Sequence, residues 1–182
     1  MIHRHSFIAN TVRLAAPLVV AGLLLGCKKS EPPPVAAPAT PSVPTHAQSK
    51  LPTMKLYLGP EVLDTELALT QEQQDTGMMF RTNVTDQSAM LFVLPQPLLP
   101  PSGFWMTNCP VSLSAAYINR YGTIEEIHHL EKNDPTVIMA THNDIIFVLE
   151  VNDGWFARHN IGIGAVIRTE KGSLAQTFLH EQ

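Results

Sequence analysis

Most apolar residues of this chain occur in short runs that end at glycine, proline, asparagine or aspartate. The clearest is IIFVLEV (residues 145–151), an almost unbroken apolar run of strand length, and AMLFVL (residues 89–94) resembles it. The runs that begin at Lys55 and Thr65 show the apolar–polar alternation of half-buried strands. Many short strands with little helix predict a mainly-β domain, either a compact β-sandwich or a small barrel-like domain, with one or two short helices.

Short sequence motifs predict individual elements of this domain. SLSAAYIN and TIEEIHHL, separated by the turn NRYG, predict a β-hairpin. Thr70 and Gln73 have the spacing of a capping box, and Gly77 is placed to end a helix of two turns. NDGWFARHN predicts a second short helix that begins at Asn152 or Asp153, and IGIGAVIRT predicts a closing strand.

The first 26 residues are typical of an export signal. Arg4 and Arg13 precede an apolar run that is too short to span a bilayer. The run ends at LLGC, which resembles the lipobox of bacterial lipoproteins. The resemblance implies that Cys27 carries lipid, including palmitate-like acyl chains, and becomes the mature N-terminus. Lys28 after the cysteine implies an outer-membrane protein that faces the periplasm; the alternative is a plain export signal with an incidental cysteine.

Residues 27–53 are expected to be a disordered tether. Six prolines lie between Pro32 and Pro44, and no large apolar residue recurs with a period. As a flexible coil the tether would hold the domain about 30 Å from the lipid, and as polyproline II about 80 Å. The remainder, residues 54–182, is long enough for one hydrophobic core and is predicted to form a single domain.

Charge and residue types limit the partners and cofactors. From Met54 onward the chain has 15 acidic and 7 basic residues, and the basic ones do not cluster, so nucleic acid is an unexpected partner. His128 and His129 are adjacent on a predicted strand and should point to opposite faces. His142 and Asp144 form a weak candidate pair. The sequence therefore predicts no metal site and no cofactor.

Catalytic motifs are sparse. The G-x-S-x-G elbow of serine hydrolases is absent from the sequence. Cys109 follows an apolar stretch, and a lone cysteine there is more often a small buried hydrophobe than a nucleophile. A pair of carboxylates for glycoside hydrolysis would have to come together through the fold. No residue is therefore assigned a catalytic role.

The order of several short elements resembles the family known as domain of unknown function 192, over residues 65–168 or so. GMMFR, AMLFVL, FWMTNCPVSLSAAYI, VLEV and a late glycine follow one another as in that family. The resemblance implies a compact, mainly-β fold with no assigned activity. Thr107, Cys109 and Ser114 stand where the family usually has Lys, Thr and Asp, so no role of those residues carries over. The matching positions are Gly77, Met79, Arg81, Met90, Leu91, Phe92, Phe104, Trp105, Met106, Asn108, Leu149, Glu150, Gly154 and Gly164.

The stretch FWMTNCP (residues 104–110) is either core or the wall of a site. As a strand it would place Phe104, Met106 and Asn108 on one face, with Trp105, Thr107 and Cys109 on the other. The alternative to core packing is an amphipathic groove for a sugar or another small ligand. Its candidate ligand-binding residues are Arg81, Trp105, Asn108, Tyr117 and His128.

Arg81 is expected to form an ion pair, and the family pattern suggests Glu150 as its partner. Three functions stay open. The favoured one is a lipid-anchored binding or accessory module of the cell envelope without catalysis, whose partner is a small molecule, a glycan or an envelope protein. The alternatives are an envelope hydrolase that acts on cell-wall or glycan material, and a structural protein-interaction domain.

Overall fold

The protein is described by a computed structural model that covers residues 44–99 and 101–179. The export signal, Cys27 and most of the expected tether lie outside the described residues. The elements, in chain order, are β1 (Thr53–Leu58), β2 (Glu61–Ala68), α1 (Gln71–Thr76), β3 (Ser88–Val93), β4 (Gly103–Phe104), β5 (Leu113–Asn119), β6 (Ile124–Leu130), β7 (Ile138–Met139), β8 (Ile145–Asn152), α2 (Trp155–Arg158), β9 (Ile167–Thr169), β10 (Gly172–Ser173) and α3 (Leu174–Phe178).

Eight strands form one sheet in the order β10-β9-β1-β2-β3-β8-β5-β6, and β4 pairs with β7 in a small second sheet. β2 and β3 run parallel, and α1 lies on the connection between them; the other neighbouring strands are antiparallel. The large sheet curls without closing into a barrel. At one corner its two ends meet, where Ile124 N–H donates to the Ala165 carbonyl at 2.9 Å. The mainly-β prediction is confirmed.

Alternating residues of the central strands build two apolar layers on opposite faces of the sheet. We call one layer the Trp155 face, because Leu91, Leu149 and Trp155 pack there. The other is the Met106 face, where Phe92 and Val148 pack with Met106. All of these side chains are at most 3% exposed. Burying each large apolar side chain contributes roughly 1.5–3 kcal/mol, so both layers stabilise the sheet.

Several local predictions match the structure. The hairpin is β5–β6, and the strongest apolar runs are β3 and β8. Thr70 caps α1 in a capping box with Gln73. Gly77 ends the helix with φ of 46°, and a Cβ there would lie 3.2 Å from the Phe92 ring, so glycine meets both a conformational and a packing requirement.

Three local predictions were wrong. The FWM strand ends at Phe104, because the next residues turn away from β4. Neither Asn152 nor Asp153 caps α2; its first flanking residue is Gly154, in the left-handed region with φ of 69°. A third helix, α3, was missed although Ser173 and Gln176 form a capping box of the same kind as Thr70 and Gln73.

The ordered contacts of the domain begin before Met54. The side-chain amide of Gln48 donates to the carbonyls of Gln73 (3.1 Å) and Gly77 (2.9 Å). Leu51 N–H donates to Glu66 Oε2 at 2.8 Å. Residues 48–52, which composition assigns to the tether, therefore lie along the domain. Among the described helices, none has the length and apolar character to cross a bilayer.

Candidate functional site

FWMTNCP turns away from β4 and is tied to its neighbours through the backbone. Met106 N–H donates to the Asp134 carbonyl (2.9 Å), and Cys109 N–H donates back to Met106 O (3.0 Å). Phe80 N–H donates to the carbonyl of Asn108 at 2.7 Å, and Asn108 itself has φ of 61°. The turn replaces the alternation of a strand, so Met106 and Cys109 both point inward while Trp105 is 54% exposed. FWMTNCP therefore contributes side chains to the apolar core and also forms part of a wall at the surface.

The wall belongs to a cleft of about 550 Å³ on the Met106 face, which we call the Trp105 cleft. One side is the turn itself, and the other is the C-terminal end of α1 with Gly77 and Met78. Apolar rings and thioethers dominate the lining, with a few polar groups among them, as in many small-molecule sites. Its lining residues are Pro44, Gln71, Gln74, Asp75, Thr76, Gly77, Met78, Met79, Phe92, Leu94, Leu98, Gly103, Phe104, Trp105, Met106, Thr107, Asn108, Cys109 and Glu150.

Glu150 is the buried acid of the Trp105 cleft. It lies on β8 between Met90 of β3 and Ala115 of β5, and it is 3% exposed. Its carboxyl group forms no hydrogen bond or ion pair with another described residue. Burial raises the pKa of Glu150 to about 8, although the positive charge of Arg81 opposes the shift. At neutral pH the group is therefore mainly a neutral carboxylic acid.

Arg81 pairs with Glu66 and not with Glu150, which corrects the family-based expectation. Its two terminal nitrogens lie 2.6 and 2.9 Å from the two carboxylate oxygens of Glu66. Burial alone would raise the pKa of Glu66, but hydrogen bonds from Arg81 and from the Leu51 amide hold it below its usual value. Glu66 and Glu150 flank Met90 on the same face of the sheet, so Arg81 binds the nearer strand and only acts on Glu150 at longer range.

Cys109 is a buried thiol, as the sequence indicated. It is 3% exposed, and its sulfur lies 3.6 Å from Met78 O and 3.5 Å from Val111 O. Burial raises the pKa of this thiol to about 11, and the Glu150 carboxylate acts in the same direction once it is ionised. A thiol held protonated in this way is a poor nucleophile.

Tyr117 and His128 lie outside the lining of the Trp105 cleft. Tyr117 is fully buried on β5, its hydroxyl donates to the Ile138 carbonyl at 2.6 Å, and burial raises its pKa. The His128 ring packs on Tyr117 with centroids 4.7 Å apart and bonds Glu126 at 2.7 Å. The structure therefore brings Trp105 and Asn108 together at the cleft and leaves Arg81, Tyr117 and His128 behind or beside it. A ligand-binding role for those three residues stays a prediction.

Glu126 forms a second polar cluster, at the edge of the sheet. Its carboxylate accepts bonds from the backbone N–H groups of Thr141 (2.8 Å) and His142 (2.9 Å), and it contacts the His142 ring at 2.8 Å. Burial would raise its pKa, but the bonds from His142, His128 and Thr141 lower it to about 2. His142 thus pairs with Glu126. Within residues 44–99 and 101–179, no group of three or more His, Cys, Asp or Glu side chains has a metal-binding arrangement.

Other residues that match the family pattern have structural roles in the fold. Phe104 packs edge-on against Phe92 with centroids 4.9 Å apart, and Met79 is half-buried in the cleft wall. Gly154 precedes α2, where Trp155 is buried and donates from its indole nitrogen to Asp86 O at 3.0 Å. Gly164 is exposed, with φ of 87°, in the turn before β9.

Comparisons with solved structures support the fold. The domain superposes on the crystal structure of a proposed transcription regulator from Sinorhizobium meliloti with a TM-score of 0.61 at 24% identity, covering 68% of this chain and 98% of that one. It superposes on a protein of unknown function from Novosphingobium aromaticivorans with a TM-score of 0.58 at 28% identity, covering 69% and 91%. No curated protein matches the chain in sequence.

The family comparison agrees with the motifs of the sequence. The model of domain of unknown function 192, described as uncharacterized ACR, matches residues 55–169. The match runs from β1 to β9 and includes the FWMTNCP turn, Arg81 and Glu150. This protein therefore belongs to the domain of unknown function 192 family.

Proposed function

We propose that this protein is held in the bacterial cell envelope by lipid on Cys27, and that its domain binds a small ligand in the Trp105 cleft without catalysing a reaction. The anchor is supported by the apolar run that ends at LLGC and by the proline-rich stretch after it. Such a tether would let the domain reach ligands or partners away from the lipid surface.

Glu150 is the observation that carries the binding proposal. Glu150 is 3% exposed and has no described hydrogen-bond partner, yet no buried side-chain oxygen among the described residues lacks a partner, so its carboxyl oxygens open into the cleft instead of being sealed in the core. It lines an open cleft whose rim carries a half-exposed tryptophan. Unpaired polar groups inside an apolar, aromatic cleft are suited to fix the orientation of a ligand.

The alternative function is hydrolysis of cell-wall or glycan material. The raised pKa of Glu150 favours it, because acids with shifted pKa values in clefts often act as catalysts. However, glycoside hydrolysis uses two carboxyl groups that flank the scissile bond. Among the described residues of the lining, the other carboxyl group is Asp75, which is exposed on α1, and the Cys109 thiol is protonated. Ligand binding needs no second catalytic group, so it fits these lining residues better than hydrolysis does.

A ligand screen with matched variants tests the proposal. The full-length protein in detergent would be unfolded thermally with peptidoglycan fragments, oligosaccharides and lipid headgroups. A ligand at 100 times its Kd should stabilise the fold by about 2.7 kcal/mol. The effect should vanish in Trp105→Ala and persist in Ile163→Ala, which removes another exposed apolar side chain that lies outside the cleft.

The other outcomes are informative. Chemical conversion of a bound glycan would replace binding by hydrolysis. If no ligand in a wide panel stabilises the protein, the binding proposal is wrong and a protein-interaction domain is favoured. The anchor is tested separately by mass spectrometry of the mature N-terminus: a Cys27→Ser protein that still fractionates with membranes, or an unmodified Cys27, would contradict lipid attachment.

A further inference from the structure

The Trp105 cleft carries acidic groups without a basic one. Of the described residues that line it, Asp75 and Glu150 are acids, and none is lysine, arginine or histidine. The nearest guanidinium, Arg81, is held by both oxygens of Glu66. An anionic ligand would therefore meet no free positive charge in this lining, and it would face two carboxyl groups.

Aromatic surface accompanies the acids. Trp105 is 54% exposed at the rim, and the rings of Phe92 and Phe104 line the interior. The face of an indole ring attracts organic cations, and the attraction grows when water is excluded. Apolar walls of this kind also favour a ligand with a hydrocarbon or aromatic body.

Glu150 supplies a carboxyl group that can pair with an organic cation. Both of its oxygens are free of described hydrogen-bond partners, and its neighbours in the sheet are the uncharged Met90 and Ala115. A cation placed against it would pair with the ionised carboxylate, whereas a neutral ligand would face the protonated carboxyl group and an anionic ligand would oppose its ionisation.

From this arrangement, and resting on the proposed binding function, we propose that the ligand of the Trp105 cleft is a small organic cation. It is an ammonium group on an apolar body, with the charge against Glu150 and the body against Trp105 and Phe92. The excess of acidic residues in the domain would also attract such a ligand from solution.

Binding of this kind has a defined pH dependence. The free cleft holds a proton on Glu150 below pH about 8, and the bound cation would displace it. Affinity should therefore rise about tenfold for each pH unit up to about pH 8 and then level off. Cys109, whose pKa burial raises to about 11, Tyr117, whose pKa burial raises, and Arg81, whose pKa the bonds to Glu66 raise, lie near Glu150. Asp75 lines the same cleft, and Glu66 lies across Met90 on the same face of the sheet.

The probes share one aromatic body and differ in charge. Benzyltrimethylammonium, benzyl alcohol and benzoate would be titrated calorimetrically into the full-length protein in detergent. We expect the cation to bind at least tenfold more tightly than the alcohol, and benzoate not to bind. Benzyltrimethylammonium does not titrate, so its pH profile reports on the protein. Proton release should appear as a dependence of the measured heat on the buffer.

Variants assign the effect to Glu150. Glu150→Gln keeps the shape of the side chain and should abolish both the preference for the cation and its pH profile. Asp64→Asn removes an exposed carboxylate of β2 outside the cleft and should leave both unchanged. Equal loss in Asp64→Asn would reduce the effect to general surface charge and overturn the inference.

Failure of the inference is distinct from failure of the binding function. If the alcohol or benzoate binds as tightly as the cation, and Trp105→Ala abolishes it, the cation proposal is wrong while binding in the cleft stands. The same conclusion follows if only a neutral glycan from the wider screen binds. If none of the probes and no member of that screen binds, both proposals fail.

Discussion

Arg81 forms a two-point ion pair with Glu66, at 2.6 and 2.9 Å, on the strand next to the one that carries the central Met90. The pairing leaves Glu150, on the far side of Met90, without a described partner. One guanidinium thus satisfies one of two buried carboxyl groups on the same face of the sheet. The second group makes the Trp105 cleft a candidate site.

Glu150 should make the protein less stable as the pH rises. Its pKa is raised from 4.5 to about 8 in the fold, so the folded state binds more protons than the unfolded state between these values. The stabilising contribution of this group is fully present below pH about 4.5 and declines as the pH rises to about 8, because only the unfolded state loses its proton in that range. Over this window, the free energy of unfolding should fall by up to about 1.4 kcal/mol per pH unit. Urea unfolding at several pH values measures it.

The variant Glu150→Gln isolates this contribution. It should lack the decline and be more stable than the wild-type protein at pH 8. Asp64→Asn, which alters an exposed carboxylate, should follow the wild-type curve. Parallel curves for the wild type and Glu150→Gln would show that the Glu150 carboxyl group does not have a raised pKa.

Glu126 should act in the opposite direction and at lower pH. Its pKa is lowered from 4.5 to about 2, so its contribution is present above pH about 4.5 and is lost as the pH falls towards 2. Glu126→Gln removes the charge and weakens the bonds to Thr141 and His142, at a cost of about 2–3 kcal/mol near neutral pH. Acid unfolding followed by circular dichroism measures the difference. A variant as stable as wild type at neutral pH would contradict this account.

Replacing Arg81 should be destabilising. Arg81→Met keeps an unbranched apolar stem but removes the guanidinium group, which leaves Glu66, 8% exposed, without its ion-pair partner. Removing one side of a fully buried ion pair typically costs about 3–5 kcal/mol. The Arg81–Glu66 pair is only partly buried, so the cost should lie below that range. Glu66→Gln in the same protein should recover part of that loss, because no unpaired charge remains. Denaturant unfolding of the two single variants and the double variant tests the coupling, and strictly additive costs would argue against it.

Cys109 should resist modification in the folded protein. A Cys27→Ser protein leaves Cys109 as the sole thiol of the chain. Because this thiol is 3% exposed and its pKa is raised to about 11, reagents for thiolates should react with it only after unfolding. Mass spectrometry after timed exposure, with and without denaturant, measures the two rates. Fast labelling without denaturant would show that the turn opens and that Cys109 is available for chemistry.

Features that depend on neighbours in the chain could be predicted. The capping box at Thr70 joins residues three positions apart, and the hairpin needs only two alternating runs around a short turn. The predicted elements ended at the strand IGIGAVIRT, so α3 was missed although Ser173 and Gln176 carry the capping-box signal. The face assignment of residues 104–109 was wrong because hydrogen bonds to residues distant in sequence convert that stretch into a turn.

By itself the sequence determined the mainly-β class, the central apolar strands and the family. The spacing of apolar residues, the helix-capping residues and the order of motifs depend only on positions along the chain. Glu66 lies in the alternating run that begins at Thr65, and Glu150 lies in the apolar run IIFVLEV. Only the tertiary structure decided that β2 pairs with β3 and β3 with β8, which places both acids on one face with Met90 between them. Alternation indicates which residues share a face of their own strand, but pairing between distant segments sets which strands are neighbours. The partner of Arg81, and the absence of a partner for Glu150 among the described residues, follow from that pairing.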